Sequence, residues 1–168
     1  MGSVRRVSWL LVAMLVVAGC GTLRLVSFHD PVSGVTFRHP ASWSVTGFSR
    51  TNSPPRLVLA NYPVKRSEVE GDCGGMEALA GLPKAGVAVL LIDYGPGLPR
   101  NEFPPRSNRL RIAGFRRANY DCFGESYMRR FSVGGVDFQA HIALGRKAGA
   151  AERSEALQSL DSLKVSAG

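Results

Sequence analysis

Two strand-like runs, ESYMRRFSV and VDFQAHIALG, are separated by nothing except Gly134-Gly135. A two-residue connection between strands takes a turn with positive φ at its centre, where a residue without Cβ is unstrained. The two runs must therefore pair as an antiparallel hairpin, and the rest of the chain has to supply partners for its two edges. The segment GVAVLLIDYG is the strongest further strand. Its apolar run is continuous, which predicts a central position covered on both faces. RLVLANY and RLRIAGF read as additional strands, and GVTFRHP and WSVTGFS flank a Pro-Ala-Ser-Trp turn. Helical character is confined to a short stretch in CGGMEALAGLP, closed by Gly81 and Pro83, and to residues 150–163, where Leu157, Leu160 and Leu163 recur at i+3 spacing. Strands first and a helix last give an α+β expectation: one antiparallel β-sheet with a short helix and a C-terminal helix packed on it. Residues 95–108, with four prolines and two glycines, form a long loop and are the expected contact element.

The first residues have a different logic. Arg5 and Arg6 precede 13 uncharged residues, Val7 to Gly19, in which Ser8 is the one polar side chain. A spanning helix needs about 20 apolar residues, whereas an export signal needs an apolar core of about 7–15. The run ends in Val17-Ala18-Gly19-Cys20, which resembles the lipobox of bacterial lipoproteins. The resemblance implies cleavage between Gly19 and Cys20 and a diacylglyceryl thioether on the Cys20 sulfur, with further acylation such as palmitate on the new amino terminus. Two acyl chains hold a protein stably on a bilayer where one is marginal. The chain then divides into a signal peptide at 1–19, a short membrane-proximal tether at 20–26 and one domain at 27–168. Its place is the extracytoplasmic face of the cell membrane, lipid-anchored.

GVTFRHPASW and FQAHIALGRKAGAAERSEALQSLDSL are similar to the two ends of PsbP-like domains. There, a hydrophobic entry with Pro and Trp leads into an antiparallel sheet, and a terminal helix ending in Ser-Leu closes it. That similarity rests on packing residues and implies a fold, not an activity.

Export also permits disulfides. Cys73 and Cys122 are expected to pair, closing a loop of 49 residues worth about 4 kcal/mol; two free thiols are the alternative. Neither has a C-x-x-C neighbour, and no metal ligand set or cofactor site is recognisable. GESYM starts like a nucleophile elbow, but Met128 stands where G-x-S-x-G requires glycine. No catalytic residue is assigned.

Basic residues outnumber acidic ones by 21 to 13. Loss of Arg5 and Arg6 with the signal leaves 19 against 13. Arg109, Arg111, Arg116, Arg117, Arg129 and Arg130 are the candidate contacts for anionic lipid or a partner. Export removes nucleic acid as a partner. The favoured function is a non-enzymatic domain binding an envelope protein or small ligand at the membrane surface. The alternative is an envelope hydrolase or other enzyme with His29, His39 or His141 as general base.

Overall fold

The Gly134-Gly135 turn organises the larger of two sheets. The structure, a computed structural model, describes residues 23–70, 74–120 and 124–166. Strands β7 (Gly124–Val133) and β8 (Val136–Leu144) pair antiparallel through that turn, with Val133 opposite Val136. Both glycines have positive φ, 59° and 82°, as a tight hairpin turn requires. On the far side of β8 lies β5 (Val87–Asp93), followed by β4 (Arg56–Ala60) and the two-residue β3 (Ser44–Val45). On the outer side of β7 lies β6 (Arg116–Tyr120). All neighbours in this six-stranded sheet are antiparallel.

The apolar run in β5 is explained by its central place. Side chains alternate across the sheet. Val87, Val89 and Leu91 enter the main core, while Ala88, Leu90 and Ile92 enter a second cluster with Val58, Val69 and Ala78. A fully buried side chain of this size contributes about 1.5–3 kcal/mol, so a polar residue anywhere in Val87–Ile92 would be costly.

A second sheet joins the two ends of the described chain. β1 (Leu25–His29), β2 (Val35–Pro40) and β9 (Lys164–Val165) lie in the order β1-β2-β9, again antiparallel. Strand pairing thus begins at Leu25, within the segment assigned to the tether. Helix α1 is five residues, Met76–Ala80, and α2 runs Ala150–Asp161. Leu160 and Leu163 of the leucine stripe are buried in the main core, and Leu157 packs half-buried against it.

The α+β expectation is corrected by this architecture. The protein is mostly β: the described residues form nine strands in two antiparallel sheets and one substantial helix, 38% strand against 16% helix. Both predicted helical segments exist, but α1 is too short to form a layer, and the single expected sheet is two. RLRIAGF is also not a strand. It is irregular, with a 3-10 turn at Ile112–Gly114, and the edge strand β6 is the next segment, RRANY.

The proline-rich loop is a strap. The Ser132 amide donates to the Pro104 carbonyl and the Arg106 amide to that of Ser132, continuing along the outer edge of β7. Phe103 is buried against Tyr94 with ring centroids 5.5 Å apart. Arg106 Nη1 donates to the carbonyls of Leu160 at 2.6 Å and Leu163 at 2.9 Å. Leu160 lies in the last turn of α2 and Leu163 just beyond it, and the Leu160 carbonyl also accepts from the Leu163 amide; a cation there suits the negative end of the helix dipole.

Candidate functional site

Three histidines could in principle serve as bases, and they occupy different surroundings. His29 is exposed on the edge strand β1, opposite Thr36. His39 is buried, and its Nδ1 donates to the Pro40 carbonyl at 2.9 Å. His141 sits in the middle of β8, 1% exposed.

His141 belongs to a buried polar chain built by the β7–β8 register. Arg130 lies opposite Gln139 and Met128 opposite His141. Ser126, two residues from Met128, points to the same face and is a diagonal neighbour of His141. Arg130 Nε donates to Gln139 Oε1 at 2.9 Å. Gln139 Nε2 lies 2.7 Å from His141 Nε2, and His141 Nδ1 lies 3.0 Å from Ser126 Oγ. Arg130 also pairs with Glu102 at 3.1 Å, and its guanidinium lies over the Phe103 ring. Burial, with the nearby cations of Arg116 and Arg130, pushes the His141 imidazole down to about 4. It is therefore neutral near pH 7.

The direction of the chain follows from its ends. Arginine only donates, so Gln139 must present its carbonyl oxygen to Arg130 and its NH2 to His141. His141 Nε2 then accepts, and the single proton of the neutral ring lies on Nδ1, aimed at Ser126 Oγ. In this tautomer His141 cannot take a proton from Ser126 through that contact. A serine–histidine contact is present, but it is oriented against nucleophile activation. A groove of about 440 Å3 opens at Ser126 on the other face of the β6–β7 pair, with Arg117, Asn119, Glu125 and Tyr127 among its lining. It offers a cation, an amide and a carboxylate to a polar ligand.

The six candidate arginines fall on three surfaces. Arg116 and Arg130 share the His141 face of the large sheet. Arg117 and Arg129 take the opposite face, where their guanidinium groups lie 5.9 Å and 6.0 Å from the Tyr127 and Phe115 ring centres. Adjacent residues on a strand point to opposite faces, so Arg116-Arg117 and Arg129-Arg130 were bound to separate. Arg109 and Arg111 leave the sheet altogether. They are exposed and line a groove of about 400 Å3 beside α2, joined there by Arg153.

Sequence reasoning missed the Arg130–Gln139–His141–Ser126 chain, although the glycine turn carried its signal. A two-residue turn fixes which residues face each other, and that register places Arg130 on Gln139. The part of Arg153 had no comparable signal, because it depends on how α2 docks. Cys20, Cys73 and Cys122, with the Gly19–Cys20 cleavage point, lie outside the described residues. Among the described residues no group of three or more His, Cys, Asp or Glu side chains could hold a metal ion, and no helix is long and apolar enough to cross a membrane.

No known protein family matches the chain, and no curated protein or solved structure does either. The described residues form a β-rich architecture of two antiparallel sheets with α2 as the one substantial helix.

Proposed function

We propose that this protein is a bacterial envelope lipoprotein, anchored through acyl chains on Cys20, whose β-rich domain binds a partner or ligand at the membrane surface without catalysing a reaction. The observation that carries the reading is Val17-Ala18-Gly19-Cys20 at the end of a short apolar run, with strand β1 starting only five residues further on at Leu25. Five extended residues reach at most about 17–18 Å, so the domain stays close to the bilayer. The binding role is supported by the separate surroundings of His29, His39 and His141, and by a His141 tautomer that opposes activation of Ser126. The groove beside Ser126 and the arginine-lined groove beside α2 are the two surfaces suited to a polar or anionic ligand.

Intact-mass analysis of the membrane-extracted protein tests the anchor. The expected mass is that of residues 20–168 plus the lipid, and Cys20→Ser is expected to abolish the lipid increment and release the protein from membranes. A mass matching unmodified Met1–Gly168 would overturn the reading. The same spectrum, taken before and after reduction and alkylation, reports whether Cys73 and Cys122 are joined.

A further inference from the structure

Two grooves flank α2, and they meet. The first, about 250 Å3, is lined by Leu23, Leu25 and Arg38 together with Gln158 and Asp161 of α2. The second is the arginine groove, whose lining includes Arg109, Arg111, Arg153 and Leu157 together with the same Gln158 and Asp161. The outward side of α2 is therefore one continuous surface. It has exposed leucines on one flank, Leu23 at 47% and Leu25 at 40% exposure, and three exposed arginines on the other.

The surface keeps a positive excess: four arginines line the two grooves against two carboxylates. Glu155 and Asp161 are the acidic groups lining the two grooves, and each is engaged by the fold. Glu155 accepts from the Trp43 indole at 3.1 Å, and Asp161 accepts from the Leu110 amide at 2.7 Å. Arg153 is held at the start of α2 by the bond of its Nε to the Gly149 carbonyl at 3.0 Å. Arg38, Arg109, Arg111 and Arg153 are all exposed.

We infer that this face of α2 lies flat on anionic phospholipid, with Leu23 and Leu25 entering the headgroup boundary and Arg109, Arg111 and Arg153 contacting headgroup phosphates. The inference rests on the lipoprotein reading, since Leu23 is three residues beyond the proposed anchor and so sits where the chain leaves the bilayer. Arginine suits the task because its planar fork binds phosphate oxygens bidentately while its stem covers apolar surface. The arrangement also gives the domain a fixed orientation relative to the bilayer.

Hydroxyl-radical footprinting of the native lipidated protein tests the orientation, using vesicles of phosphatidylglycerol with phosphatidylcholine and vesicles of phosphatidylcholine alone. In the anionic vesicles labelling of Leu23, Leu25 and Leu157 is expected to slow severalfold relative to the zwitterionic ones, while Val32, at 70% exposure, labels equally in both. Each arginine near an anionic surface favours contact about fivefold, so R109E/R111E/R153E should reduce the contact equilibrium by at least about a hundredfold. That variant should still float with the vesicles through its lipid and keep its circular dichroism spectrum. Raising the salt to 0.5 M, where the screening length is about 4 Å, should weaken the protection in the unaltered protein and serves as the check if the variant misfolds. Protection that is absent, equal in both vesicle types, or centred on Arg116 and Arg130 would overturn the inference. Flotation without protection refutes this orientation alone; loss of flotation with no acyl mass refutes the lipoprotein reading as well.

Discussion

A guanidinium has no acceptor, and that fact propagates across three side chains to the proton on a histidine. Arg130 turns the Gln139 amide, Gln139 takes up His141 Nε2, and the remaining ring proton is left for Ser126. Arg130 and Gln139 facing each other is readable from the glycine turn; the burial that keeps His141 neutral is not, because it depends on what covers that face of the sheet. The depressed imidazole has a consequence for stability. An unfolded histidine takes a proton near 6.5, whereas the folded one resists it until about 4. The contribution is therefore fully present above pH 6.5 and is lost as the pH falls from 6.5 toward 4, amounting to roughly 3 kcal/mol. Urea midpoints measured from pH 7 to pH 4.5 should fall across this window, and His141→Gln should flatten the fall while lowering the midpoint at pH 7. Titration of the His141 ring by NMR with a midpoint near 6.5 in the folded protein would refute the account.

Among the elements, the β7–β8 hairpin was the most legible and β9 the least. Gly134-Gly135 announced a turn, and period-two alternation around it announced two strands. The turn is also a packing point, since a Cβ on Gly134 would lie 3.1 Å from Val165 Cβ and 3.2 Å from its carbonyl oxygen. Gly134→Ala should therefore cost about 1–2 kcal/mol, from left-handed backbone strain and this contact together. Gly135→Ala meets open space and should cost about 1 kcal/mol from strain alone. Thermal denaturation of the two variants checks the order, and an equal loss would remove the role given to Val165. RLRIAGF shows the opposite case. Its alternation imitates a strand, but Leu110 donates its amide to Asp161 of α2 instead of to a neighbouring strand, so a tertiary bond overrode the local pattern.

For the whole molecule, the second sheet is what the α+β expectation lacked. β9 is two residues long, too short for any periodicity to mark, and its partner Val35-Thr36 is about 130 positions away in the chain. Val165 packs against the main core and the Ser166 amide donates to the Gly34 carbonyl, so the end of the described chain closes the fold. Removal of residues 164–168 should cost about 2–3 kcal/mol through the lost side-chain burial and backbone bonds. Urea unfolding measures it, and an unchanged midpoint would mean that β2 needs no partner on that side. By itself the sequence determined β4, β5, β7 and β8 of the large sheet, the hairpin turn and the C-terminal helix, because each is written in local periodicity or in adjacent residues; the edge strand β6 was not among them. Tertiary structure alone decided that there are two sheets and that the proline-rich segment straps an edge. It also decided that six arginines divide among three surfaces, with Arg109 and Arg111 meeting Arg153 across α2. These outcomes depend on which distant surfaces bury each other, and burial between distant segments leaves no mark in local spacing.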